Sequence, residues 1–144
     1  MNEKIRIKRL VRQEEYVEAF HVIKQLRNQL EENDYLILLE KMINEGYQLF
    51  GLYFESEIVA VAGGIVLTNF YYGKHIWIND LVTLEQHRSK NYGKRLLGFI
   101  EDWAKKENCK VIALSTGLQR HSAHKFYEKK MDFERSSYVM KKHL

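Results

Sequence analysis

Residues 76–97 read IWINDLVTLEQHRSKNYGKRLL and contain the most informative pattern in the sequence. Its first nine residues, 76–84, have the composition of a β-strand. Leu96 and Leu97 begin an apolar spacing that continues through Ile100 and predicts an amphipathic helix. A basic, polar turn, residues 86–93, joins the two. Such a turn brings free backbone N–H groups together with the positive end of a helix dipole, an arrangement that binds anions and pyrophosphate in particular.

The side chains of this turn suit the same purpose. Gly93 lets a ligand approach the backbone closely, and Asn91 tolerates left-handed backbone angles. Further donors surround the turn at His87, Arg88, Lys90, Lys94 and Arg95. The competing interpretation is an ordinary strand-to-helix loop on a basic surface. The turn contains neither a Walker A motif nor a Rossmann glycine fingerprint.

The periodicity of the remaining chain predicts a mixed α/β (α+β) domain. The sequence predicts an antiparallel meander in its middle and amphipathic helices on both sides of it. The predicted order is β-α-α-β-β-β-α-β-α-β, with strands at residues 5–8, 47–54, 58–68, 76–84, 111–114 and 133–140 and helices at 13–30, 35–45, 94–104 and 121–130.

Length and composition limit the kind of protein. A chain of 144 residues predicts a single domain spanning 1–144. Its N-terminus lacks the apolar segment of a signal peptide, and its longest apolar run, Ile58 to Leu67, is too short for a membrane span. Cys109 is the single cysteine, which excludes an internal disulfide framework. We therefore expect a soluble, cytoplasmic protein with no membrane partner.

The charge is distributed unevenly along the chain. Residues 1–84 carry 9 basic and 12 acidic side chains, whereas residues 85–144 carry 14 basic and 7 acidic ones. This asymmetry favours an anionic partner for the C-terminal half, either a nucleic acid or a phosphorylated small molecule. A solvated lysine-rich surface would give the same composition.

Two motifs resemble those of the GNAT superfamily of N-acetyltransferases. The segment Arg88-Ser89-Lys90-Asn91-Tyr92-Gly93 is similar to the family's acetyl-CoA loop, which has a glycine where Asn91 stands. It follows Ile78–Thr83, a strand of the family's Ile-x-Asp-Leu-x-Val type. Downstream, Ala123–Lys129 resembles the Ala-x-x-Phe-Tyr helix, with Asp132-Phe133 in place of the usual Gly-Phe. The two motifs in this order identify the chain as a member, and the order of elements agrees along nearly its whole length.

The resemblance implies acetyl-CoA as co-substrate and assigns residues to it. Tyr127 would act as general acid for the departing thiolate. The backbone of Leu81, Val82 and Thr83 would pair with the pantetheine arm. The pyrophosphate would be held by backbone N–H groups of Arg88, Ser89, Lys90, Asn91, Tyr92, Gly93 and Lys94.

The general base is less defined by the sequence. Asp80 is the nearest carboxylate on the strand that the resemblance places at the active site. Strand alternation sends Asn79 and Asp80 to opposite faces, so at most one of them faces the substrate. Asp80 is therefore a candidate base, and a structural hydrogen-bond acceptor is the equal alternative.

The function predicted is transfer of an acetyl group to a primary amine of a small molecule or protein by direct attack. A basic nucleic-acid-binding module is the alternative, which the placement of the aromatic residues on apolar helical stripes disfavours. The second alternative is a non-catalytic acetyl-CoA-binding sensor with the same fold. Acidic residues on the two N-terminal helices favour a cationic acceptor. The spacing of His121 and His124 does not suggest a metal site. An exposed last strand would suit a homodimer.

Overall fold

The computed structural model describes residues 4–117 and 119–144. These residues group into two compact units, one up to residue 113 and one from residue 114 onward. Residues 1–3, part of the segment in which the sequence predicts no signal peptide, lie outside the described part. Within the described ranges, no helix is both long and apolar enough to cross a membrane.

The first unit follows the predicted alternation of strands and helices. Its elements are β1 (Ile5–Arg9), α1 (Gln13–Leu26), α2 (Glu32–Asn44), β2 (Gln48–Phe54), β3 (Glu57–Asn69), β4 (Gly73–Thr83), α3 (Tyr92–Lys106) and β5 (Val111–Leu114), whose last residue already belongs to the second unit. The five strands form one sheet in the order β1-β2-β3-β4-β5. The predicted fold class, a mixed and mostly antiparallel sheet flanked by helices, is confirmed.

Strand direction changes at one edge of the sheet. The pairs β1–β2, β2–β3 and β3–β4 are antiparallel. At the edge beside β4, the N–H of Lys110 donates to the carbonyl of Lys74 at 3.2 Å. Since Lys74 is the second residue of β4 and Lys110 directly precedes β5, these two strands begin at the same end of the sheet and run in the same direction.

Helices cover both faces of the sheet. The ring of Phe50 lies 5.2 Å from Phe99 and 5.3 Å from Trp103, so this face of β2 packs against α3. Tyr47 lies three residues before Phe50, so its side chain points to the other face, where α1 packs on β3 and β4. Coverage on both sides explains why β2 is apolar from Leu49 onward and buried along most of its length.

The first helix is shorter than its apolar pattern predicts. The sequence favours a helix to about Leu30, but α1 ends at Leu26. The N–H of Leu30 donates to the carbonyl of Arg27 at 2.9 Å, and Lys24 Nζ donates to the carbonyl of Leu30 at 2.8 Å. These bonds close a turn after Leu26, and Leu30 therefore does not belong to the helical stripe.

A buried carboxylate joins β1 to α1. Glu15 lies in the first turn of α1, forms an ion pair with Lys8 of β1, and accepts bonds from the backbone N–H groups of Val11 (2.9 Å) and Arg12 (3.0 Å). Burial alone would raise the pKa of Glu15, but these partners outweigh it and lower the pKa to about 2. The charged form is therefore stabilised strongly.

The second unit departs from the predicted ending. The predicted helix at 121–130 is formed as α4 (His121–Lys125) followed by a π-helix, Phe126–Lys130. The predicted strand Phe133–Met140 is wrong, because residues 132–144 form no strand. Tyr138 and Met140 are 86% and 88% exposed. Alternating residues supply a side-chain face for a strand, but a strand also needs a place in a backbone ladder, and this segment is not among the five strands of the sheet.

Candidate active site

A β-bulge interrupts β4 at the centre of the predicted site. Asp80 pairs with Gly63, but Ile78 pairs with the next residue, Gly64, so Asn79 has no partner in the register. Because Gly63 and Gly64 are adjacent on β3, the bulge places Ile78 and Asp80 on opposite faces of the sheet. A Cβ atom at Gly64 would lie 2.8 Å from the carbonyl oxygen of Trp77, so the close approach at the bulge requires a glycine.

The carboxylate of Asp80 is held by two donors. Its Oδ2 accepts a 2.8 Å bond from the Tyr47 hydroxyl, and its Oδ1 lies 3.3 Å from Nη2 of Arg27. The Asp80 side chain is only 11% exposed. Burial, and then the Asp80 charge, raise the pKa of Tyr47 well above its usual value, so Tyr47 remains a hydrogen-bond donor. Asp80 is thus a fixed carboxylate on the α1 side of the sheet.

The C-terminal end of α1 is bonded directly to β4. Gln25 Nε2 donates to the carbonyl of Thr83 at 2.7 Å, and Gln25 Oε1 accepts from the N–H of Glu85 at 2.9 Å. Arg27 Nη2 also donates to the carbonyl of Asn79 at 3.1 Å. The sequence patterns did not identify Gln25 or Arg27, since no local pattern links positions more than 50 residues apart.

These bonds bear on the three predicted pantetheine-binding residues. Leu81, Val82 and Thr83 form the end of β4 and pair with residues 60–62 of β3. Val82 is buried, whereas Leu81 and Thr83 are half-buried. The Thr83 carbonyl already accepts one hydrogen bond from Gln25.

The basic turn ends two residues earlier than predicted. A 3₁₀ turn, Glu85–His87, follows β4, and α3 begins at Tyr92, so Gly93 and Lys94 belong to the first helical turn. Ser89 (φ 64°) and Asn91 (φ 66°) both adopt left-handed backbone angles. Asn91 thus adopts the left-handed conformation that its side-chain type permits, and this conformation directs the chain toward the start of α3.

The N-terminus of α3 is uncapped. Asn91 makes no side-chain cap bond, and the first turn contains no acidic residue. The first helical bond runs from the N–H of Arg95 to the carbonyl of Asn91 at 3.0 Å. The N–H groups of residues 92–94 precede that bond and point out of the helix end. Around them lie exposed side chains of Arg88, Ser89, Lys90, Asn91 and Lys94. This arrangement suits an anion with several oxygens.

Aromatic rings fix the base of the turn. The His87 ring lies 5.9 Å from Phe54 and 6.4 Å from the buried ring of Tyr92, and Lys90 Nζ lies 5.9 Å from the Phe54 centroid. Tyr92 was predicted to contribute its backbone to the site, and its side chain serves the core. The packing holds the turn on the end of the sheet.

Tyr127 lies in the π-helix of the second unit. Its ring is buried and makes edge contacts with Phe126 (5.3 Å) and Phe133 (5.4 Å). Burial raises the pKa of Tyr127, and the charge of Arg120 partly opposes this. The hydroxyl therefore stays protonated near neutral pH. Single turns of π-helix occur frequently at functional sites.

The two histidines of α4 form a ring contact. Their centroids are 5.8 Å apart, and Nε2 of His124 lies 2.8 Å from the carbonyl of Gly117. Within residues 4–117 and 119–144, no three His, Cys, Asp or Glu side chains come together as a metal site would require.

Comparison with known proteins agrees with this geometry. The sequence matches the model of the Acetyltransferase (GNAT) family over residues 11–133. It is 42% identical over 139 residues to the uncharacterized N-acetyltransferase YhdJ of Bacillus subtilis (strain 168), covering 96% of this chain and 98% of that protein.

Solved structures share the fold at low sequence identity. Aminoglycoside N-acetyltransferase AAC(6')-Iy in complex with CoA aligns with a TM-score of 0.88 and 13% identity, over 100% of this chain and 97% of the other. A soil-metagenome aminoglycoside acetyltransferase, meta-AAC0020, in complex with sisomicin aligns with a TM-score of 0.84 and 14% identity, over 98% and 96% of the two chains. Taken with the family match over residues 11–133, these findings show that the chain belongs to the GNAT family of acetyltransferases.

Proposed function

We propose that this acetyltransferase moves an acetyl group from acetyl-CoA to a primary amine of a small molecule or protein by direct attack. The observation that carries the proposal is the uncapped N-terminus of α3, with Asn91 in a left-handed conformation and basic side chains around it. The family match spans residues of both compact units, which supports one acetyltransferase domain over 1–144.

The turn before α3 fits the diphosphate of acetyl-CoA. Backbone N–H groups from Arg88 to Lys94 would hold the phosphate oxygens, and the helix dipole favours negative charge there. The exposed side chains of Arg88, Lys90 and Lys94 would add charge-assisted contacts. An acidic residue in the first turn of α3 would oppose such binding, and this turn contains none.

Acetyl-CoA, when bound, supplies an acetyl group activated as a thioester. Backbone groups of Leu81, Val82 and Thr83 would bind the pantetheine arm along β4. Tyr127 Oη would hold the proton that the departing thiolate takes up, and the raised pKa of Tyr127 keeps that proton in place before transfer.

Asp80 would face the acceptor amine. Tyr47 fixes one carboxylate oxygen, so Oδ1 is the atom that would bind the ammonium group and receive its proton before attack. Because Arg27 lies at Oδ1, this role requires an exchange of partners at that atom.

A cationic amine is the acceptor class that the charges favour. The acidic side chains on and beside α2 are exposed: Glu31, Glu32, Asp34, Glu40 and Glu45. Together with Asp80 they make the α1–α2 side of the sheet attractive to positive charge. The sisomicin complex of meta-AAC0020, which has a related fold, supports an aminoglycoside-like acceptor.

Two measurements test the proposal. Calorimetric titration with acetyl-CoA should show binding, and a thiol-release assay with a panel of polyamines, aminoglycosides and lysine peptides should show turnover. Binding without thiol release for any amine would favour the non-catalytic sensor. Absence of acetyl-CoA binding combined with binding to nucleic acid would favour the nucleic-acid-binding module.

We also propose a homodimer that uses the C-terminal segment. Residues 132–144 form no strand, and Tyr138, Val139 and Met140 are exposed. Pairing with a second copy would bury these exposed side chains. Light scattering should give twice the chain mass, and truncation after residue 134 should return a monomer. A monomeric full chain would contradict this.

A further inference from the structure

Arg27 lies where the acceptor's positive charge is required. It is the C-cap residue of α1 and reaches β4 with a single nitrogen, Nη2. That atom lies 3.1 Å from the carbonyl of Asn79 and 3.3 Å from Asp80 Oδ1. Both oxygens belong to the bulge, so the bulge presents two acceptors to one cation.

The two partners of Asp80 are held with different strength. Tyr47 is buried, and its bond to Oδ2 is 2.8 Å long. The Arg27 side chain is 51% exposed and contacts Oδ1 through one nitrogen, without the paired geometry that makes arginine–carboxylate contacts strong. Exposed pairs of this kind contribute little to stability. Removal of Arg27 would therefore leave the carboxylate in place and its outer oxygen accessible.

Resting on the proposed function, we propose that Arg27 is an internal competitor of the acceptor. Its guanidinium occupies the cation position formed by Asp80 Oδ1 and the Asn79 carbonyl, and the acceptor's ammonium group replaces it there. A primary ammonium carries three donors and can bond both oxygens. A neutral hydroxyl group lacks the charge needed to displace a guanidinium, so Arg27 makes the site selective for cationic amines.

The competition is measured directly with a diamine. The full chain, saturated with CoA, is titrated with 1,5-diaminopentane by calorimetry. Replacing Arg27 by methionine keeps the apolar stem and removes the charge, so the diamine should bind about fivefold more tightly, the order expected for loss of one exposed ion pair. Arg27→Lys retains a competing cation and should stay within about twofold of wild type.

A second substitution locates the effect. In the Arg27→Met background, Asp80→Asn preserves an acceptor for Tyr47 and removes the charge, and the gain in diamine affinity should disappear. Where the diamine is acetylated, KM should fall in Arg27→Met while kcat stays unchanged. This change of KM alone is the signature of ground-state competition.

Three outcomes overturn the inference: equal or weaker diamine binding by Arg27→Met, a gain that survives Asp80→Asn, and no diamine binding to any variant. Acetyl-CoA affinity of the same variants separates this inference from the proposed function. Normal acetyl-CoA binding and turnover with any of these outcomes would reject only the role of Arg27. Failure of wild type to bind acetyl-CoA would reject the proposed function itself.

Discussion

The phenolic oxygen of Tyr47 fills the space into which a side chain at Gly63 would project. A Cβ atom built on Gly63 would lie 1.8 Å from that oxygen and 2.3 Å from the ring carbon that bears it. Since the same hydroxyl bonds Asp80, which pairs with Gly63 across the sheet, the glycine creates room for the group that holds the carboxylate.

Replacement of Gly63 by alanine should therefore be destabilising. The Tyr47 ring must move, and we expect a loss of about 1–3 kcal/mol in the free energy of unfolding, as for other overpacked core sites. The control is Gly98→Ala in α3, where a Cβ meets nothing within 4 Å and should stabilise the protein slightly. Urea unfolding measures both, and equal stability of the two variants would contradict the packing argument.

Acetyl-CoA affinity should fall as the salt concentration rises, because an exposed basic turn holds the diphosphate. Lys94→Gln should weaken binding and reduce this salt dependence, since Lys94 lies in the first turn of α3. Lys105→Gln, at the opposite end of the helix, is the matched control and should bind like wild type. Calorimetry at low and high salt measures the affinity of each variant for acetyl-CoA. An affinity that does not change with salt would mean that the diphosphate does not bind at this turn.

Substitution of Gly93 by valine should damage acetyl-CoA binding more than any change in side-chain charge at this turn. The branched side chain would stand beside the N–H groups that the diphosphate approaches. Gly98→Val introduces the same β-branched residue later in the same helix, so it separates an effect on helix stability from an effect on the site. A folded Gly93→Val protein with normal acetyl-CoA affinity would show that the turn is not the phosphate site.

Removal of the Tyr127 hydroxyl should slow catalysis without unfolding the protein. In Tyr127→Phe the ring keeps its contacts with Phe126 and Phe133, so stability and acetyl-CoA affinity should change little. Turnover should drop about 10²–10⁴-fold if the hydroxyl protonates the thiolate. Tyr138→Phe removes a hydroxyl from an exposed ring and should leave turnover unchanged. A rate for Tyr127→Phe within about threefold of wild type would make Tyr127 a packing residue.

The pH dependence of stability should report on Glu15. Its pKa is about 2 in the folded protein against 4.5 as the ordinary value, so the folded state binds the proton less readily than the unfolded state does. The carboxylate therefore stabilises the fold above about pH 4.5, and this contribution is lost as the pH falls toward 2.

Unfolding by urea at several pH values checks this. Glu15→Gln should lose about 2 kcal/mol at pH 6, allowing for the half-exposed Lys8, and should differ little from wild type near pH 2. Glu14→Gln, one residue earlier and exposed, should follow wild type throughout. A constant difference between Glu15→Gln and wild type at every pH would mean that packing, and not charge, is responsible.

Local sequence patterns predicted the parts of this protein that local forces determine. The strand, basic turn and helix of residues 76–97 lie in sequence order, and the left-handed residue Asn91 was foreseen from its side-chain type. The contacts of Asp80 were not foreseen, since Arg27 and Tyr47 are 53 and 33 residues away. The strand predicted at 133–140 failed for a related reason: strand formation depends on a partner that the segment does not itself contain.

The bulge at Asn79 reverses which face of the sheet the even-numbered side chains of β4 occupy. In an uninterrupted strand Ile78 and Asp80 would share a face, and the carboxylate would be directed at the apolar rings of α3. Because Asn79 is unpaired, the alternation of side chains between the two faces shifts by one residue. Even-numbered residues up to Ile78 therefore point to one face of the sheet, and even-numbered residues from Asp80 onward point to the other. Any redesign of this strand that groups its even-numbered positions together would place half of its changes on the wrong side of the sheet.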